Sequence, residues 1–147
     1  MITRTASARY EGLGKTGKGH VSTQSGVLDD QPYGFNTRFE NAPGTNPEEL
    51  IAATHASCFT MALSFALAKE GLEDGILETS ARVQLDKDGD SFKVSRSDLH
   101  LTATVPGIEE SRLRDIAADA KANCPISKLL NAEISLEVTV ESPSSVH

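Results

Sequence analysis

The sequence predicts an α+β protein, and three features carry that reading. A long helix without formal charge follows a Gly-, Ser- and Thr-rich opening; two strand-like runs meet at an Asp-Gly turn; and the last patterned segment alternates apolar and polar residues strictly. A chain of 147 residues is long enough for one substantial core. A single domain is therefore expected over residues 1–147, closing in a short flexible tail at about 142–147 around Ser142-Pro143-Ser144-Ser145.

The opening third reads as a small antiparallel meander. Strand-like pieces at Thr5–Gly12, Gly19–Ser25 and Gly34–Phe39 are separated by turn residues such as Gln31-Pro32-Tyr33-Gly34. A helix start follows at Thr45-Asn46-Pro47-Glu48-Glu49, where Asn46 suits the cap, Pro47 the first helical position and Glu49 the capping box. Leu50–Ala68 is apolar or small on every face, and Gly71 is a natural stop. The run is Ala-rich, holds Thr54, His55, Ser57, Thr60 and Ser64 and lacks an aromatic belt, which favours a buried helix over a membrane span. One small sheet cannot cover such a helix all round, so a second copy of the chain is expected to complete the cover in a homodimer.

Beyond Gly71, Glu78–Leu85 and Ser91–Val105 form a hairpin around Asp88-Gly89. Phe92 and Val94 share one phase, whereas Leu99, Leu101, Ala103 and Val105 share the other, which predicts a bulge near Ser95–Ser97. Pro106-Gly107 ends the strand. Over Glu109–Asn123 the residues Leu113, Ile116, Ala117, Ala120 and then Cys124 lie on one helical stripe, so Cys124 points inward. Pro125 interrupts that helix and leaves Ile126–Leu130 as a short separate piece. Ala132, Ile134, Leu136, Val138 and Val140 then alternate as a final strand.

A net charge of −7 leaves no basic surplus for phosphate, which argues against nucleic acid and anionic membranes as partners. The N-terminal residues lack the apolar run of a signal peptide, so a cytoplasmic location is expected. In a reducing compartment two cysteines point to catalysis, redox sensing or metal binding before a structural disulfide. There is no CxxC spacing, and His20, His55, His100 and His147 show no regular ligand spacing, so no metal is expected.

Cys58 lies in the middle of the apolar helix, where burial disfavours its thiolate; left alone it is a small hydrophobe. It sits about three turns beyond Pro47, too far for the helix dipole to act. A side-chain cation is needed, and Arg38, flanked by aromatic residues, is the candidate; a solvated strand-edge charge is its plain alternative. A shielded guanidinium calls for a carboxylate, and Glu48 is preferred to Glu49 because Glu49 has a structural task in the cap. A rise of about 15 Å separates Glu48 from Cys58 along a straight helix, which favours delivery of the Arg38–Glu48 pair by a partner subunit. His55, one turn before Cys58, is either its base or a hydrogen-bonded core residue.

Several stretches resemble the osmotically inducible protein C and organic hydroperoxide resistance (OsmC/Ohr) family, on its OsmC branch. They are Gly26-Val27-Leu28 through Gln31–Phe39, Gly44–Ala53, His55–Phe59, Val105–Ile108 and Ala122–Ser127, in order over about residues 8 to 140. The resemblance implies antiparallel sheets wrapped around long central helices in an intertwined homodimer. It implies a thiol peroxidase that reduces organic or lipid hydroperoxides, with Cys58 as the attacking thiolate, Arg38 as its activator, Glu48 as the holder of Arg38 and Cys124 as the resolving thiol. No metal or organic cofactor is implied, and a small dithiol or lipoyl-type reductant is expected from outside. Phe35, Ile51, Phe59 and Met61 are the expected apolar lining for the alkyl group of the substrate. Two other readings stay open: a non-catalytic dimer that holds an apolar ligand, and a Cys-His hydrolase that uses His55.

Overall fold

A computed structural model of the chain describes residues 1–142, so the expected tail lies, beyond Ser142, outside the described residues. The chain forms two compact units, Met1–Leu50 and Ile51–His147.

In the first unit, β1 (Ala6–Glu11), β2 (Lys18–Thr23) and β3 (Gln31–Tyr33) form an antiparallel sheet in that order. The register sets Tyr10, Gly19 and Tyr33 in one cross-strand row. A Cβ on Gly19 would lie 2.8 Å from the Tyr33 ring and 2.9 Å from the Tyr10 ring. The missing side chain is what lets those two rings meet edge to face across the middle strand, with centroids 6.1 Å apart.

Two expectations are corrected here. The Gln31-Pro32-Tyr33 turn is a short edge strand, the one sheet position where a residue without an N–H does no harm. Gly34–Phe39 is not a strand, because Phe35–Phe39 forms the one-turn helix α1. The Thr37 hydroxyl accepts the Gly34 N–H at 2.7 Å and donates to the Gly34 carbonyl at 3.0 Å, which closes the turn. Phe35 and Phe39 then stack with centroids 5.1 Å apart. Their spacing of four residues fits a strand face and a helix face equally, and Gly34 with Thr37 decides for the helix.

Helix α2 (Pro47–Lys69) starts as its sequence dictates, with Asn46 Oδ1 accepting the Glu49 N–H at 2.8 Å. Glu49 itself accepts the Thr45 hydroxyl at 2.8 Å. At the far end Gly71 adopts φ of 85° and donates to the Ala68 carbonyl, which stops the helix. Helix α2 is long and apolar enough to cross a membrane, and 22% of its most apolar stretch is buried within the chain.

In the second unit, β4 (Ile76–Asp88), β5 (Ser91–Thr104) and β6 (Glu133–Val140) form the other sheet. β4 and β5 pair antiparallel with a register shift between Gln84 and Leu85, so Ser95 is the extra residue, inside the expected bulge. β6 runs parallel to β5, a correction to purely antiparallel sheets. The reason is connectivity: α3 (Glu110–Asn123) and α4 (Pro125–Leu129) carry the chain back along the sheet before β6 begins. One stripe of α2 (His55, Phe59, Leu63, Leu67) is buried, and its apolar members join Leu99, Leu101 and Ala103 of β5 and Leu113, Ile116, Ala117 and Ala120 of α3 in the core. The opposite face of α2 leaves Met61 60% and Phe65 64% exposed.

Phe59 has no exposed surface at the centre of this core. Phe59→Ala is expected to cost about 3–5 kcal/mol of stability through lost burial and a residual cavity, read as a lowered urea midpoint at unchanged slope.

Candidate active site

The stripe that buries Phe59 also sets the angular position of Cys58 on α2, half-buried beside the core. Cys124 arrives from the other direction. It is the last residue bonded into α3, its N–H donating to the Ala120 carbonyl at 2.9 Å, and Pro125 then prevents that helix from continuing. Its carbonyl accepts the Lys128 N–H at 3.1 Å, so the same residue caps α4. Both cysteines are free, Cys124 is fully buried, and the two thiols lie near enough for each to influence the other's ionisation.

The start of α4 supplies the polar surroundings. The Ile126 amide favours the charged form of both thiols, and the Ser127 amide and hydroxyl favour that of Cys124. Burial pushes the Cys58 thiol up, and the neighbouring Cys124 thiol pushes it further, against a smaller opposite effect of the Ile126 amide. Burial also raises Cys124, but the Ser127 amide, the neighbouring Cys58 thiol, the Ser127 hydroxyl and the Ile126 amide outweigh it and hold Cys124 below its ordinary value. Cys58 needs a positive group to become the thiolate, as its position on the apolar helix already implied.

His55 is buried with both ring nitrogens engaged, Nδ1 with Ser97 Oγ at 2.6 Å and Nε2 with Ser127 Oγ at 2.8 Å. Burial lowers its pKa, so the ring is neutral at pH 7. A histidine committed on both sides has no nitrogen left to serve Cys58 as a base. Sequence reasoning singled out neither Ser97 nor Ser127 as a site residue. For Ser97 the signal was parity, since it shares the inward phase of Leu99, Leu101 and Ala103 and a hydroxyl there must find a polar partner.

In the first unit, Arg38 and Glu48 meet as a two-pronged pair: Nε donates to Oε1 at 2.9 Å and Nη2 to Oε2 at 3.0 Å. The side chains are 35% and 13% exposed, so the carboxylate is the more sheltered partner. The one-turn helix α1 presents Arg38, and the first turn of α2 presents Glu48. The guanidinium lies 5.5 Å from the Phe39 ring centroid, and Lys15 lies 5.0 Å from that of Phe35. Tyr10, Tyr33, Phe35, Phe39, Lys15 and Arg38 line a hollow of about 350 Å³. Lys15 and the two tyrosines had not been singled out from sequence.

Of the expected apolar lining, Phe35 faces this hollow. Met61 borders a separate open groove of about 630 Å³ in the second unit, between α2 and the start of β4, and Ile51 is half-buried. Phe59 differs from a lining residue: it follows His55 by one turn on the inward stripe and is wholly covered.

The family model described as "OsmC-like protein" matches residues 39–139. Over 141 residues, 96% of this chain and 99% of the relative, the chain is 50% identical to "Peroxiredoxin OsmC" of Escherichia coli (strain K12). It is 29% identical to "Organic hydroperoxide resistance protein OhrB" of Bacillus subtilis (strain 168) over 82% of this chain and 88% of that one. Among solved structures, an organic hydroperoxide resistance protein from Elizabethkingia anophelis with thiocyanate bound superposes with a TM-score of 0.72 at 26% identity, covering 97% of each chain.

The buried neutral histidine gives stability a definite pH dependence. Its folded pKa lies below its unfolded value of about 6.5, so the unfolded chain binds the extra proton and stability falls as pH drops from about 6.5 toward the folded value. Urea midpoints at pH 7.5, 6.5 and 5.5 are expected to decline in that order, by at most about 1.4 kcal/mol per pH unit from this group, and to decline less in His55→Gln.

Proposed function

The chain belongs to the OsmC-like protein family, and on that premise we propose that it reduces organic hydroperoxides to alcohols through a Cys58 sulfenic acid and a Cys58–Cys124 disulfide. It is a peroxidase by kinship with its peroxiredoxin and hydroperoxide-resistance relatives. The observation that carries the mechanism is that two free thiols meet at the core edge, near enough for each to shift the other's ionisation.

In the proposed cycle the Cys58 thiolate attacks the distal oxygen of the peroxide. An S–O bond forms, the O–O bond breaks and the alkoxide leaves as alcohol after taking a proton. Cys124 then attacks the Cys58 sulfur; the S–S bond forms and hydroxide departs, to become water. The short reach from one sulfur to the other suits this step, which protects Cys58 from further oxidation. An external dithiol of small or lipoyl type returns the disulfide to two thiols, and no metal or organic cofactor takes part.

Arg38 supplies the positive charge that favours the Cys58 thiolate and the departing alkoxide, and Glu48 fixes its orientation. The two-pronged geometry supports that assignment, since a guanidinium held on one edge keeps its remaining N–H groups directed. Apolar side chains such as Met61 and Ile51 serve the alkyl part of the peroxide. A second copy of the chain covers the exposed Met61 and Phe65 face of α2, giving a homodimer, and the free thiols suit a reducing cytoplasm.

The test is stoichiometric reduction of cumene hydroperoxide, followed by mass spectrometry of the Cys58–Cys124 link. Cys58→Ser is expected to abolish peroxide consumption, and Cys124→Ser to allow one attack and then accumulate overoxidised Cys58. Full turnover by Cys58→Ser would sink the mechanism, and absence of thiol consumption in the wild type would favour a non-catalytic binding role. Arg38→Ala is expected to lower kcat/KM by about 10²–10³-fold, and Glu48→Gln by less.

A further inference from the structure

The hollow of the first unit has a composition that the peroxide cycle does not explain. Its walls include the rings of Tyr10, Tyr33, Phe35 and Phe39, and its two charged members, Lys15 and Arg38, are both cations. No carboxylate lines it, in a chain whose net charge is −7. Glu48 holds Nε and Nη2 of Arg38, which leaves the Nη1 end of the guanidinium for another acceptor. Among the described residues Lys15 has no carboxylate within ion-pair distance, and its ammonium lies over the Phe35 ring. Phe35 and Phe39 stack on each other, so the two cations sit over neighbouring rings. Like charges that face one hollow repel until an anion comes between them.

The walls are seated on bare backbone. A Cβ on Gly17 would collide with the Tyr10 ring, as one on Gly19 would crowd both tyrosines. The Tyr10 hydroxyl donates to the Gly14 carbonyl at 2.8 Å, which ties that ring to the helical turn Gly14–Thr16 carrying Lys15. The rings are therefore placed before any ligand arrives. A volume of about 350 Å³ suits a small molecule, and aromatic walls favour a flat apolar body. A carboxylate fits the charges, since its two coplanar oxygens match a guanidinium edge and an ammonium adds a point charge. We propose that this hollow binds a small organic carboxylate with a flat apolar body, and that Lys15 is the residue that selects for its charge. Arg38 then has two claimants, because the bound carboxylate takes guanidinium N–H groups that the peroxide cycle uses. The binding stands apart from the peroxidase reading, whereas the competition, a brake on peroxide reduction, rests on it.

Calorimetric titration of the full chain tests it with 2-naphthoate as the probe, 2-naphthamide as its neutral isostere, and acetate and inorganic phosphate as anions without a flat body. Naphthoate is expected to bind about tenfold more tightly than naphthamide or either small anion, and to weaken as salt is raised. Lys15→Met keeps an apolar stem over Phe35 and removes the charge. It is expected to weaken naphthoate about tenfold and leave naphthamide unchanged, and Lys15→Arg is expected to retain the preference. With a small dithiol supplied, naphthoate is expected to slow cumene hydroperoxide reduction with an inhibition constant equal to its calorimetric Kd. In Lys15→Met that constant rises about tenfold, while kcat/KM without naphthoate stays at the wild-type value. Equal binding of naphthoate and naphthamide, a preference that survives Lys15→Met, or small anions bound as tightly as naphthoate would each overturn the site. Binding without inhibition would overturn the competition for Arg38. If the wild type reduces no peroxide, the peroxidase reading fails while the calorimetry still decides the site.

Discussion

Pro125 is the constraint on which the rest of the thiol centre depends. Lacking an N–H, and following directly on Cys124, it ends α3 at the point where the cysteine has just made its last helical hydrogen bond. The chain restarts as α4 with Cys124 as its cap, and that change of direction leaves the Ile126 and Ser127 amides in the first turn of the new helix, where they favour the charged form of the Cys124 thiol. Continued as one helix, those N–H groups would be spent on carbonyls four residues back. Breaking the helix releases donors, and the break is located where a thiol can use them.

The same economy governs the arginine pair. A guanidinium can be sheltered only with a carboxylate to meet it, and the first turn of α2 supplies Glu48 while Glu49 takes the Thr45 hydroxyl. Two adjacent acidic residues thus divide two duties. The division follows from geometry: Glu49 projects back toward the residue before the cap, and Glu48 projects toward α1.

Much of the second unit was legible in the sequence because its patterns are long. The hairpin, its bulge, the stripe of α3, the interruption at Pro125 and the last strand each rest on several residues in phase. The short elements of the first unit were not legible in the same way. Phe35, Thr37 and Phe39 alternate as a strand would, and only the bonds between Thr37 and Gly34 select a helical turn. The parallel pairing of β6 cannot be read from its alternation, because alternation fixes a face and not a direction. Arg38, Glu48 and the two cysteines stood out by chemical type. Ser97 and Ser127 did not, because serine is common and their importance comes from a histidine distant in sequence.

The extra residue at Ser95 also separates two sections of one hairpin. On the core side of it, odd-numbered positions of β5 point inward and bring Ser97 to His55; on the turn side, Val94 takes over from them opposite Leu85. The kink acts as a mechanical isolator, since a change of length at the Asp88–Ser91 loop can be absorbed there without slipping the inner register. That loop is accordingly a place to graft a reporter peptide or a surface tether while the buried Ser97–His55 bond stays in step.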